Sequence, residues 1–97
     1  MEKQTLPVND NKEALRFEIV FDNGESAFIQ YEWKGENMAL LHTEVPEDKQ
    51  SEGYAAQLAK YVLDKAAKEH LHLLVYCSYI AAYIKKHPEY AVLTIPH

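Results

Sequence analysis

Reactive residue types in this chain concentrate at two places. The hexapeptide Gln50-Ser51-Glu52-Gly53-Tyr54-Ala55 lies between an apolar, strand-like run and an amphipathic helical pattern. A strand that empties into a small-residue loop at a helix start leaves backbone N–H groups unpaired, with the positive end of the helix dipole behind them. A pyrophosphate would fill such a site. An ordinary strand-to-helix connection explains the same residues, with Ser51 as helix cap and Gly53 relieving crowding. The second place is Cys77, the only cysteine. It cannot form an internal disulfide, so it is either a small buried hydrophobe or a thiol with chemistry to do. It closes an apolar run just before Ser78, and the dipole of a helix starting there would lower the thiol's pKa and favour the thiolate. Metal binding is a poor fit: His70, His72 and Cys77 lack a recognised zinc spacing, and a basic residue at a helix end accounts for His70.

The elements that must position these groups follow from periodicity. Residues 1–13 mix polar and charged side chains with Pro7 and show no apolar period, which predicts a loose arm ordering only near Lys12. Leu15, Phe17, Ile19 and Phe21 then alternate with Arg16, Glu18 and Val20 up to Asp22-Asn23-Gly24-Glu25, where Asn-Gly is a preferred two-residue hairpin turn. The return strand alternates Ala27, Ile29, Tyr31 and Trp33, Lys34 to Asn37 turns the chain again, and a third strand runs from Met38 to Val45. Three strands joined by tight turns imply an antiparallel meander.

From Tyr54 to Glu69, Ala55, Leu58, Ala59, Val62, Leu63 and Ala66 recur at helical spacing, with Asp64 four residues before Lys68 as a surface pair. Leu71 to Cys77 reads as a buried strand completing a β-α-β unit. Ser78 is placed to cap a helix over Tyr79 to Lys86, which Pro88 stops, and Ala91 to Ile95 reads as a last edge strand.

Composition bounds the function. Ninety-seven residues suit one domain, residues 1–97. The net charge is −5, and beyond Lys85-Lys86 there is no basic cluster, so the chain lacks the footprint of a nucleic-acid binder. An acidic surface attracts cationic partners such as amines or basic peptides. No apolar run approaches the roughly 20 residues that span a bilayer, and the polar N-terminus has no secretory pattern. A cytoplasmic location is the expectation.

Two segments together carry a resemblance. Thr43 to Ala55 is a strand ending in Val, a short acidic loop, then Gln50-Ser51-Glu52-Gly53-Tyr54-Ala55. Cys77 to Tyr90 is a strand ending in Cys, an aromatic-rich helix and His87-Pro88-Glu89-Tyr90. The pair resembles the GCN5-related N-acetyltransferase (GNAT) family, in its minimal subgroup of about this size, over roughly Leu15 to Leu93. The resemblance implies an α/β (α+β) fold of the acyl-CoA N-acyltransferase type, a mainly antiparallel sheet flanked by two helices. It implies acetyl-CoA as acyl donor and an amine as acceptor. Backbone N–H groups from Gln50 through Ser51, Glu52, Gly53, Tyr54 and Ala55 would meet the coenzyme A pyrophosphate, and Thr43 to Val45 would flank the pantetheine arm. Where the family usually has Arg-Gly-x-Gly, this chain has Gln50-Ser51-Glu52-Gly53, with Lys49 as a compensating charge for Glu52.

Acetyl transfer to an amine needs a base to take the amine's proton and an acid to protonate the leaving thiolate. Tyr83 matches the helix tyrosine that serves as acid in many members of the family, although an aromatic packing at helical spacing with Tyr79 explains it equally. Glu44, at the strand end, is the expected base, with His42 two residues earlier on the same strand face. Cys77 offers a covalent route through an acetyl-cysteine. A chain this short lacks room for further N-terminal helices around the acceptor. That openness suits a peptide amine, and it also suits a non-catalytic CoA-binding module or a protein-interaction domain.

Overall fold

A computed structural model describes residues 6–96. Five strands form one sheet in the order β1-β2-β3-β4-β5: Asn9–Asn11, Arg16–Val20, Ser26–Lys34, Asn37–Glu44 and Leu73–Val75. The first four run antiparallel as the meander predicted, and β5 joins β4 in parallel. Helix α1 (Tyr54–Lys68) makes the crossover from β4 to β5, as a parallel pair requires. Helix α2 (Ser78–Lys86) follows β5.

The alternation that predicted the strands decides which face is covered. Phe17, Ile19, Ile29, Tyr31, Met38 and Leu40 are buried on one face, and the inward stripe of α1 (Leu58, Ala59, Val62, Leu63, Ala66) joins them in a single cluster that also takes Ile80 and Ile84 of α2. Both helices therefore lie on the same side of the sheet. The other face, with Arg16, Phe28, Gln30, His42 and Glu44, carries no helix among the described residues.

Several local expectations are corrected. The N-terminal arm is not loose through Glu13. Asn9–Asn11 pairs with Arg16–Glu18, the Tyr31 hydroxyl donates to Asp10 Oδ1 at 2.6 Å, and Asn11 Nδ2 donates to Glu18 Oε2 at 3.2 Å. These polar contacts come from residues distant in sequence, so no local period announces them. Residues 1–5 lie outside the described residues.

The Asn23-Gly24 turn is not the two-residue type, which needs positive φ at both central residues. Only Gly24 has it (φ 89°), Gly24 N–H bonds Phe21 O at 2.9 Å, and Phe21 N–H bonds Glu25 O at 2.8 Å. That is a three-residue loop ending in a glycine bulge.

Asp64 pairs with Lys60 at 2.8 Å rather than with Lys68, and Lys65 takes Glu69 at 2.7 Å. The expected strand over Ala91–Ile95 is a 3-10 helix, Pro88–Leu93, followed by a single bridge between Thr94 and Leu73. Pro88 at its start and the Tyr90 hydroxyl donating to Asp64 Oδ1 at 2.7 Å hold that turn against its β-branched composition. His70 ends α1 in the left-handed region (φ 57°), with Leu71 N–H on Ala66 O and His70 N–H on Ala67 O. That is the helix-ending pattern usually given to glycine, and it accounts for His70 without a ligand.

Candidate active site

Strands β4 and β5 part company at one residue. Met38, Ala39 and Leu40 are in register with Leu73, Leu74 and Val75. The Leu40 carbonyl then accepts from two N–H groups, Tyr76 at 2.9 Å and Cys77 at 3.0 Å, and β5 is over. Beyond that point β4 runs on to Glu44 paired only with β3. The result is a fork, with one β4 edge facing a gap instead of a strand.

A bulge at the same level sets what each side of the fork presents. Gln30 is opposite His42 but Tyr31 is opposite Leu40, so Leu41 is an extra residue on β4. A one-residue shift reverses every later side chain. Without the bulge His42 and Glu44 would point into the core. With it, Thr43 shares the helix-covered face with Ile29, while His42 and Glu44 share the open face with Gln30 and Phe28.

On the helix side, the Thr43 hydroxyl and the Cys77 thiol are 3.1 Å apart. Cys77 is buried and stands at the N-cap of α2 in extended conformation, so Ser78 is the first helical residue and not the cap. Tyr79 is on the first turn of α2. Burial first, then the neighbouring Tyr83 and Cys77, raises its pKa and keeps its hydroxyl protonated. Tyr83 is one turn further along, with its ring 4.4 Å from His87, 6.4 Å from Tyr90 and 6.5 Å from Tyr79. The hydrogen bond to Asp64 raises the Tyr90 hydroxyl to about 12.

On the open side, His42 Nε2 is 3.6 Å from Glu44 Oε1, and the His42 ring meets Phe28 edge-on.

Above the fork the chain bends from Val45 into a 3-10 helix, Glu47–Glu52, and enters α1 through Gly53 at φ 85°. The 3-10 turns use backbone N–H groups within Gln50 to Glu52. The N–H groups left without an intrahelical partner are those of the first turn of α1, from Tyr54 through Ala55 and Ala56, and no side chain caps them. Ser51 and Glu52 are exposed, and Gln50 Nε2 donates to Val45 O at 3.2 Å, tying the turn to the end of β4. The Lys49 ammonium lies 5.3 Å from the Phe21 ring centre.

The structure thus gathers Thr43, Cys77 and Tyr79 on one side of the fork and His42 with Glu44 on the other. It leaves Tyr83 in an aromatic stack. Sequence reasoning missed the role of Leu41 and the position of Tyr79. Two successive leucines carry no bulge signature, whereas Tyr79's place two residues after Cys77 was legible once the helix start was fixed.

Comparison with known proteins bears on the family and the fold. A model of the family described as GCN5-related N-acetyl-transferase matches residues 16–93. The chain belongs to that family. It is 38% identical to Protein NATD1 of Homo sapiens over 65 residues, 66% of this chain and 58% of that protein. Against Protein NATD1 of Danio rerio the identity is 34% over 88% of this chain and 81% of that protein. For the first-matching relatives the chain spans about three fifths of their length (59% for Gallus gallus). The solution structure of a GCN5-like protein from Staphylococcus aureus superposes with a TM-score of 0.72 at 21% identity, over 100% of this chain and 93% of that one. The GNAT-like fold, a mixed sheet with flanking helices, is therefore established. Among the described residues no helix is long and apolar enough to cross a membrane.

Proposed function

We propose that this GNAT member transfers acetyl from acetyl-CoA to an amine by direct attack across the fork in its sheet. The observation that carries the reading is the bulge at Leu41, which puts Thr43 and Cys77 on one face and His42 with Glu44 on the other.

The residues present suit coenzyme A. An extended arm with amide groups can pair with the free edge of β4 from Thr43 to Val45 as a missing strand would. The uncapped first turn of α1, Tyr54 to Ala56, offers N–H groups and a dipole to a pyrophosphate, and Gly53 lets the backbone approach closely. Bound there, acetyl-CoA supplies an activated carbonyl and a thiolate leaving group.

The chain's own residues handle the protons. Glu44, with His42 beside it, accepts the proton of the attacking amine on the open face. Tyr79 at the start of α2, or Tyr83 one turn away, returns a proton to the departing sulfur. The C–N bond forms as the C–S bond breaks. Cys77 is buried against Thr43, with the basic pair on the opposite face, which favours direct transfer over an acetyl-cysteine. The reading carries a cytoplasmic location with it, where a lone thiol stays reduced.

Release of CoA thiol from acetyl-CoA in the presence of a lysine-containing peptide tests the proposal. Glu44→Gln should lower kcat about 100-fold with acetyl-CoA affinity unchanged. Cys77→Ala should keep activity within about threefold. An acetylated Cys77 trapped by mass spectrometry, with an inactive Cys77→Ala, would replace direct transfer by the covalent route. Binding of CoA without release of thiol for any amine would leave a CoA-binding module.

A further inference from the structure

The face of the sheet that no helix covers carries more than the His42–Glu44 pair. Phe28 is half-buried there, with the Arg16 guanidinium 4.3 Å from its ring centre. Ala39 is buried by its neighbours yet lies outside the helix-side core. Val20, 49% exposed and opposite Ser26, extends the apolar strip on β2.

The permanent cations on this face are already matched: Arg16 Nε is 2.8 Å from Glu18 and Lys34 Nζ is 4.0 Å from Glu32. At the end nearest the fork, Glu25, Glu44 and Glu47 border a notch of about 420 Å³ with no basic side chain among its lining residues. Apolar side chains such as Phe28 and Val20, beside carboxylates with no lysine or arginine partner, suit a partner that is cationic and also has area to bury.

We propose that this open face docks a lysine-bearing basic segment of another polypeptide, laid across β2, β3 and β4 so that one lysine amine reaches His42 and Glu44. The inference rests on the acetyltransferase reading and names its acceptor. The notch is shallow, so a small polyamine would be held there by screened surface charge alone. A peptide adds contact with Phe28 and the strip beside it, which is what gives an exposed face useful affinity.

The docking is measurable without acetyl-CoA, which separates its failure from failure of the transfer reading. The ¹⁵N-labelled protein is titrated with a synthetic peptide of alternating glycine and lysine, and in parallel with spermidine, at low and at physiological salt. The expected result is saturable shift changes at Phe28, Gln30, His42 and Glu44 with the peptide, weakened by salt, and weaker binding of spermidine. Glu25→Lys combined with Glu47→Lys should raise the peptide's Kd about fivefold or more. The circular dichroism spectrum of that variant should match wild type, and its acetyl-CoA titration should be unchanged. Peptide shifts on the helix side, or none, overturn the proposal. Spermidine binding the same face as tightly as the peptide overturns it in favour of a small polyamine acceptor.

Discussion

From Met38 to Leu40, β4 is bonded on both edges, and all three residues are buried. From Leu41 to Glu44 the same strand is bonded on one edge, and His42 and Glu44 are exposed. The first stretch is indistinguishable from the interior of any mixed sheet. The second has an open backbone edge, a residue out of register, and polar groups sorted to opposite faces. One inserted residue and one terminated neighbour separate scaffold from site. On the proposed reading, function here is made by interrupting a regular element, and the interruption depends on the regular half to hold it in place.

Deleting Leu41 should break the distinction most severely. Strict alternation would return, His42 and Glu44 would turn beneath the helices, and Thr43 would leave Cys77. Burying those polar groups costs several kcal/mol, on the order of 3–5. Acetyl transfer should vanish and the thermal midpoint should fall steeply. A stable, active deletion variant would show that the bulge sorts nothing.

Gly53→Ala probes the entry to α1 rather than the fork. A side chain at φ 85° costs about 1–2 kcal/mol and crowds the approach to the first-turn N–H groups. Acetyl-CoA affinity should drop about tenfold, read by calorimetry, with the peptide titration unchanged.

Tyr31→Phe acts on the regular half alone. It removes the 2.6 Å bond to Asp10 that pins β1, for a loss of about 1–2 kcal/mol. The thermal midpoint should fall by roughly 5–10 °C, while kcat at 25 °C stays unchanged. A matching loss of kcat would mean that scaffold and site are not separable.

Asp64→Asn should have the smallest effect. The Lys60 ammonium, then the Tyr90 hydroxyl, hold the Asp64 carboxyl below its ordinary value of 3.8. A group depressed in the folded state adds stability above its unfolded pKa and loses it as pH falls through the folded one. The pair is solvent-exposed and screened, so it contributes little. The variant should therefore lose slight stability at pH 7 and show a shallower decline below about pH 4 in thermal scans.

How much of this was legible in the sequence follows the same division. Where apolar residues repeat with one period, as from Phe17 to Phe21, Ala27 to Trp33 and Leu58 to Ala66, the pattern located strand and helix and which side faces inward. Where tertiary contacts or backbone detail decide, it did not. Asn9–Asn11 is polar throughout, and it is held by Tyr31 and Glu18 from other strands. Val92 and Thr94 favour a strand, but the chain there winds on from Pro88 and is held by Tyr90 against α1. Leu40 and Leu41 look alike as letters, yet one closes the sheet and the other opens it. Apart from Tyr79, the fork's groups were therefore named from the sequence, whereas their assignment to two faces required the structure.

Backbone amide shifts on titrating the labelled protein with acetyl-CoA test the central claim most directly. The account predicts saturable changes centred on Thr43 to Val45, Tyr54 to Ala56 and Cys77, with Asn37 to Leu40 unmoved. Saturation elsewhere, or no change at millimolar acetyl-CoA (a binding free energy weaker than about −4 kcal/mol), would contradict it.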